Sequence, residues 1–282
     1  MRRESVQWIV PVVLAIGVVG ALWFYWYQNR EPDEPRPEPT TQQPGPAVTE
    51  EPAEPVHPLP EPAPATTPDR ELRPLPPLNE SDEYFEMALT DLFGDALEEE
   101  LVDTRLIERL VATVDNLPRE KLAERIKPLN TVPGQFAVDR QNESTAAEGR
   151  FTIDPTNYER YDALVAMVAN TDTQQMVELY ERFYPLLQKA YADLGYPDAY
   201  FNDRVVEVID HLLATPDVQG PVELVRPHVL YEYANPELEK LSSGQKALIR
   251  IGSENAAIVK QKLREFRDLI TAPAGARPTG DQ

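Results

Sequence analysis

The spacing of apolar residues over positions 79–271 predicts a mostly α-helical domain. Apolar side chains recur there at steps of three and four, which is the period of a helix that buries one face. The strongest run lies between Asp172, a helix-starting residue, and Gly195, a helix stop. Pro185 lies inside this run and predicts either a bend or one unpaired carbonyl. Further helices are predicted over residues 81–94, 97–114, 118–128, 154–168, 205–213 and 242–270.

Three regions depart from the simple helical pattern. Residues 129–153 alternate apolar and polar side chains on either side of a polar loop, which is typical of a small β-hairpin. Residues 222–225 and 229–233 are two short runs with strand character. Gly252 either ends one helix, so that Ser253 starts the next, or packs closely within a continuous helix. The sequence therefore predicts one or two short β-hairpins beside the helices.

A different pattern, a continuous apolar run, occupies the amino terminus. Residues 6–27 contain no charged side chain, and a helix of that length reaches about 33 Å, enough to cross a hydrocarbon core of about 30 Å. A cleaved secretory signal is the alternative, but this run ends in aromatic residues, which favour a membrane interface. The run therefore predicts a transmembrane helix embedded in the lipid bilayer. Its predicted anchor residues are Val6, Trp8, Trp23, Trp26 and Tyr27.

The orientation of this span follows from the basic residues beside it. Arg2, Arg3 and the terminal amine precede the span, whereas only Arg30 follows it closely. Basic flanks stay on the cytoplasmic side. We therefore expect the amino terminus to be cytoplasmic and the rest of the chain to lie across the membrane; a domain facing the cytosol is the alternative.

The segment after the span has a composition that opposes folding. Residues 31–78 contain 16 Pro and 10 acidic residues, too little apolar surface for a core, and like charges that extend the chain. We expect a disordered spacer, with a ligand for a proline-binding groove as the alternative. The predicted organisation is a cytoplasmic tip and anchor (residues 1–30), the spacer (31–78), the helical domain (79–271) and a disordered tail (272–282).

Charge and composition exclude several classes of function. The chain has 48 acidic and 27 basic residues and a net charge of -21, so a nucleic acid is not an expected partner. It has no cysteine, which excludes disulfides, thiolate metal sites and cysteine nucleophiles. Its three histidines, His57, His211 and His228, lack the spacing of metal ligands. We therefore predict no metal and no cofactor.

The charges are unevenly distributed within the helical domain. Residues 79–103 hold ten acidic residues and no Lys or Arg, whereas residues 244–267 carry a local charge of +4. One interpretation is that the first and last helices pack side by side and neutralise each other. Alternatively, one of them docks a partner of opposite charge, or both are solvated surfaces.

Four motifs resemble those of a proteobacterial family, domain of unknown function 3014, over roughly residues 80–270. They are residues 157–161, 184–197, 202–204 together with 210–216, and 241–255. The resemblance implies an envelope protein with an amino-terminal span, a variable linker and a helical domain, and it implies no activity. The motif residues that we single out, as a buried network fixing helix register or as partner contacts, are Asn157, Tyr158, Arg160, Tyr161, Asn202, Arg204, Gln245, Arg250 and Asn255.

Together these features predict a single-pass protein of the bacterial inner membrane with a periplasmic domain. We expect it to act as a binding or scaffold protein for another envelope protein or a cell-wall component. The alternative is a cell-wall hydrolase with paired carboxylates in a tyrosine-lined groove, since seven tyrosines lie within residues 158–200. Core packing is the favoured explanation of those tyrosines, because most of them lie on the helical apolar stripes.

Overall fold

The structure is a computed structural model that describes residues 54–59, 74–95, 97, 101–102, 104–130, 135–139, 150–228 and 230–272. The predicted span at residues 6–27, most of the predicted spacer and the tail from residue 273 lie outside the described residues. Within the described ranges, no helix combines the length and the apolar character needed to cross a bilayer.

The described part of the chain is mostly helical, as the apolar spacing predicts. Its α-helices are α1 (Asp82–Phe93), α2 (Leu106–Asn116), α3 (Thr156–Glu159), α4 (Asp162–Asn170), α5 (Thr173–Asp193), α6 (Phe201–Leu213), α7 (Pro236–Glu239), α8 (Ser243–Arg250) and α9 (Ser253–Thr271). Short 3-10 helices cover Leu78–Glu80 and Glu124–Ile126.

The two predicted β-hairpins join into one small sheet. Its strands are β1 (Val138–Asp139), β2 (Arg150–Ile153), β3 (Glu223–Val225) and β4 (Glu232–Tyr233). They pair antiparallel in the order β1-β2-β3-β4. A small apolar core beneath the sheet is formed by Ile153, Val222, Leu224, Tyr233 and Ile249.

The main core lies between the long helices. Helix α5 runs through Pro185 without interruption and buries one apolar face, from Met176 to Tyr191, against its neighbours. Helix α9 packs on α4, α5 and α6, while α2 packs on α5 and α6. Burial of these apolar faces supplies the main stabilisation of the domain.

Helix α8 is buried at every position, from Ser243 to Arg250. Ser242 and Gln245 form the predicted capping box. The first amides of the helix bond to the segment that follows α2. The Ser243 N–H donates to the Arg119 carbonyl at 2.8 Å, and the Gly244 N–H donates to the Leu117 carbonyl at 3.0 Å. The end of α2 and the start of α8 are therefore joined directly.

Gly252 separates α8 from α9, which excludes a continuous helix. Its φ of +87° favours glycine because it lies in the left-handed region. A Cβ there would also lie 2.8 Å from the Tyr158 ring. Two requirements, backbone conformation and space, thus select the same residue.

Two local predictions were wrong or incomplete. Residues 118–128 form turns and one 3-10 helix rather than a helix starting at Pro118, because the carbonyls of Leu117 and Arg119 accept from α8. The helix predicted over residues 97–114 begins only at Leu106, where the Asp82 carboxylate accepts from the N–H groups of Arg105 and Leu106 at 2.6 and 2.8 Å.

The acidic first helix and the basic last helices are not neutralised as a side-by-side pair. Helix α1 packs mainly on α2 and α5. The cations of α8 and α9 instead bind nearby carboxylates, in the pairs Lys246–Glu239, Lys260–Asp217, Lys262–Glu265 and Arg267–Asp210. These four cations of α8 and α9 therefore have partners outside α1.

Candidate functional site

A segment of the predicted spacer, residues 54–59, lies against the start of α6. The Asp203 carboxylate accepts the Val56 N–H at 3.0 Å through Oδ2 and the His57 N–H at 2.7 Å through Oδ1. The Asn202 Nδ2 amide donates to the His57 carbonyl at 2.8 Å. Three hydrogen bonds thus hold the backbone of residues 54–59, which lie inside the predicted spacer.

The segment presents alternate side chains to the domain. Pro55, His57 and Leu59 are half-buried, whereas Val56 is 76% exposed. Leu59 packs against the main core. The chain bends at Val56 and His57, which allows two consecutive N–H groups to reach one carboxylate. The domain therefore binds this segment through its backbone and through every second side chain.

Helix α5 positions the residues that hold the segment. The Tyr180 hydroxyl donates to Asn202 Oδ1 at 3.0 Å, which leaves the Asn202 NH2 group directed to the His57 carbonyl. Asn202 is only 1% exposed, so both of its amide atoms need partners. These two hydrogen bonds therefore fix the orientation of the Asn202 amide, whose NH2 group donates to the segment.

The first amides of α6 are also capped from α5. Gln188 Oε1 accepts the Phe201 N–H at 2.7 Å, and the Tyr184 hydroxyl accepts the Asn202 N–H at 3.4 Å. Burial raises the pKa of Tyr184 to about 12 and raises that of Tyr180 well above its usual value. Both hydroxyls thus remain protonated and uncharged at neutral pH.

Arg204 ties the same turn of α6 to the end of α2. Its Nε donates to Asp115 Oδ1 at 3.0 Å, and its Nη2 donates to the Asp115 carbonyl at 2.7 Å. Asp115 is buried, with 4% of its side chain exposed. Three consecutive residues, Asn202 to Arg204, therefore connect the bound segment, α5 and α2.

The remaining predicted residues lie in structural networks elsewhere. Asn157 pairs with both backbone groups of Ala137 and so fixes the chain entering β1. Asn255 donates to the Tyr158 carbonyl at 3.3 Å and to Asp162 at 2.9 Å. These contacts agree with a role in fixing helix register.

The other motif residues contact neighbouring rings or helices. The Arg160 guanidinium lies 5.7 Å from the Tyr161 ring centre, and that of Arg250 lies 5.6 Å from the Tyr233 ring centre. Gln245, besides its capping role, donates to the His211 carbonyl at 3.1 Å. The nine predicted residues therefore do not form one cluster.

Sequence reasoning missed two residues of the site. Asp203 adjoins Asn202 in one of the four motifs that resemble the family, and Gln188 lies one helical turn after Tyr184. An acidic residue at the third position of a helix, and a polar residue beside an apolar face, are weak signals that both have ordinary explanations. Their role becomes evident only with residues 54–59 in place.

Features of a hydrolytic or metal site are limited in the described part of the chain. It contains no group of His, Asp and Glu residues able to hold a metal ion. His211 Nε2 lies 2.8 Å from Ser242 Oγ, but that oxygen caps α8. Two described cavities of about 30 and 60 Å³ have room for one or two water molecules.

Comparison with known proteins identifies a family but no function. A family model described as "Protein of unknown function (DUF3014)" matches residues 106–267. The match includes the start of α6 but not residues 54–59, which precede it. No curated protein and no solved structure is significantly similar to the chain.

Proposed function

The chain belongs to the DUF3014 family of proteins of unknown function, and we propose that it is a membrane-tethered binding or scaffold protein of the bacterial cell envelope. Residues 6–27 anchor it in the inner-membrane bilayer, and the helical domain works in the periplasm by binding another envelope component. The apolar run, the basic amino terminus and the acidic proline-rich linker support this arrangement.

The proposal depends on one observation: Asn202 and Asp203 form hydrogen bonds to the backbone of residues 54–59. A surface that binds one polypeptide segment through its backbone has the groups needed to bind another. A membrane anchor adds to this function because it confines the domain and raises its effective concentration toward partners within reach of the linker. The site therefore supports binding rather than chemistry.

The membrane orientation can be tested with reporters. A periplasm-dependent reporter fused after Thr271 is expected to be active, because Arg2 and Arg3 retain the amino terminus in the cytoplasm. A cytosol-dependent reporter at the same position serves as the control and should be inactive. Replacing both arginines with glutamate is expected to weaken the orientation. Activity of only the cytosolic reporter would contradict the periplasmic assignment.

Binding at the start of α6 can be tested by photo-crosslinking in cells. We expect a photoreactive phenylalanine analogue at Tyr200, which is half-buried and two residues before Asn202, to form an adduct with an envelope component. The same analogue at Met87 in α1, which is 50% exposed, should not form that adduct. Asp203→Asn should remove the adduct, and its persistence would place the binding surface elsewhere.

A further inference from the structure

We propose that Asn202 and Asp203, supported by Tyr180 and Tyr184, form a binding site for proline-flanked segments of a partner protein, and that residues 54–59 occupy this site in cis. The proposal rests on the proposed function, because it names the ligand class of the same binding domain. The partner's segment replaces residues 54–59 and makes the same backbone hydrogen bonds. We call this surface the 202–203 site.

The hydrogen bonds define what the site can accept. The Asp203 carboxylate binds two consecutive backbone N–H groups, those of Val56 and His57, and proline has no N–H. The ligand therefore needs two consecutive non-proline residues. The first of them is free to vary, because Val56 is 76% exposed.

The flanking residues define the rest of the ligand class. Pro55 and Pro58 lie on either side of the bonded pair, and proline restricts the free chain, which lowers the entropy lost on binding. Leu59 follows and packs against the main core. The expected ligand is a segment of the form Pro-x-x-Pro followed by an apolar residue, where x is not proline.

The site has features of a preformed binding surface. Asn202 is 1% exposed with residues 54–59 in place, and the Tyr180 hydroxyl that donates to its Oδ1 belongs to α5 and not to the segment. The carboxylate of Asp203 lies on α6 but does not cap it, since Tyr200 is the N-cap residue and makes no side-chain cap bond. Hydrogen bonds to an ionised acceptor are the stronger ones. Both groups are therefore available to a backbone from outside the helix.

The cis segment sets a threshold for the partner. Fourteen residues, 60–73, join residues 54–59 to the domain, and a short connection gives an effective concentration on the order of millimolar. A partner segment of equal intrinsic affinity therefore binds more weakly to the intact chain than to a chain without the cis ligand. Its binding also releases residues 54–59 from the domain and so lengthens the tether.

The test uses the full chain in detergent micelles and a fluorescent peptide with the sequence of residues 52–61. In the variant Val56→Pro/His57→Pro both cis donors are removed while the 202–203 site is intact. Val48→Pro, the same kind of exchange outside the segment, is the matched control. Fluorescence anisotropy is expected to show at least tenfold tighter peptide binding to the double variant than to the wild type or the control.

Two further variants test the site itself. Adding Asp203→Asn to the double variant should reduce peptide affinity at least tenfold, whereas adding Asp198→Asn, an equal charge change at an exposed residue, should leave it unchanged. A peptide with proline at both bonded positions should not bind. Equal affinity for wild type and double variant, no binding to the double variant, or binding that survives Asp203→Asn would each overturn the proposal.

The oligomeric state separates the cis arrangement from an exchange between copies. Sedimentation should show the same mass for the wild type and for Val56→Pro/His57→Pro at all concentrations. A concentration-dependent dimer that the double variant loses would mean that residues 54–59 occupy a second copy's site, and the cis assignment would fall. These measurements do not depend on membrane orientation, so a failed reporter experiment would withdraw the envelope function and leave the peptide site standing.

Discussion

Asp115→Ala is expected to lower the free energy of unfolding by about 2–4 kcal/mol, because it removes the buried carboxylate of an ion pair and leaves the Arg204 Nε without an acceptor. Glu207 still contacts Arg204 Nη1 at 2.7 Å, but its side chain is 68% exposed. Asp115 has 4% of its side chain exposed, and Arg204 has 18%. Arg204 Nε then loses its carboxylate acceptor at 3.0 Å. Arg119, which also contacts Asp115, is 55% exposed and can be solvated instead.

Two controls separate the effect of losing the buried Asp115 carboxylate from simple loss of packing. Asp115→Asn keeps one oxygen acceptor and should cost less than Asp115→Ala, about 1–3 kcal/mol. The double variant Asp115→Leu/Arg204→Met removes both charges and should be close to the wild type in stability, within about 1–2 kcal/mol. Urea denaturation followed by circular dichroism measures all three. A small loss in the alanine variant would show that Glu207 and water suffice as partners of Arg204.

Asp115→Asn also affects the binding surface. Arg204 directly follows Asn202 and Asp203 in the first turn of α6, so loosening its bond to α2 affects the geometry of the groups that hold residues 54–59. Binding groups lose affinity when the residues that support them become mobile. Asp115→Asn should therefore weaken binding of the peptide of residues 52–61 in a chain that remains folded.

The helices were predictable because their signals are local. The spacing of apolar residues on α5 and the Ser242–Gln245 capping box are contained in short stretches of sequence, and helical hydrogen bonds join residues four apart. The union of both hairpins into one sheet was not predictable in this way. It depends on the pairing of β2 with β3, for example Phe151 with Leu224, which are separated along the chain by the four helices α3 to α6.

The binding surface was predicted only in part, for the same reason. Asn202 was among the predicted network or partner residues because it is a polar residue in one of the four motifs that resemble the family. Its ligand was missed, since Val56 and Asp203 are 147 positions apart and no periodicity connects them. Proline content indicated an unfolded spacer. That composition also lowers the entropy cost of docking a short segment, and sequence alone does not distinguish the two consequences.

Gly244→Ala is expected to destabilise the domain by about 2–3 kcal/mol, because it adds a methyl group to a core without space for it. A Cβ at this position would lie 2.6 Å from Leu212 Cδ2 and 3.1 Å from the Leu117 carbonyl oxygen. Leu212 is fully buried, so its side chain has little room to move. The carbonyl accepts the Gly244 N–H itself, and displacing α8 would weaken that bond.

The sign of this effect makes the experiment decisive. Within an exposed helix, exchanging glycine for alanine stabilises by about 0.5–1 kcal/mol, so helix propensity and packing predict opposite outcomes. Ser243→Ala, which removes only the hydroxyl bond to the Leu117 carbonyl, should cost about 1 kcal/mol and serves as the neighbouring control. Combining Gly244→Ala with Leu212→Ala should give a smaller loss than the sum of the two, since the deletion frees space for the new methyl group. A Gly244→Ala protein as stable as the wild type in urea would show that α8 can move away from α2, and would remove the close junction of these helices as the reason for glycine.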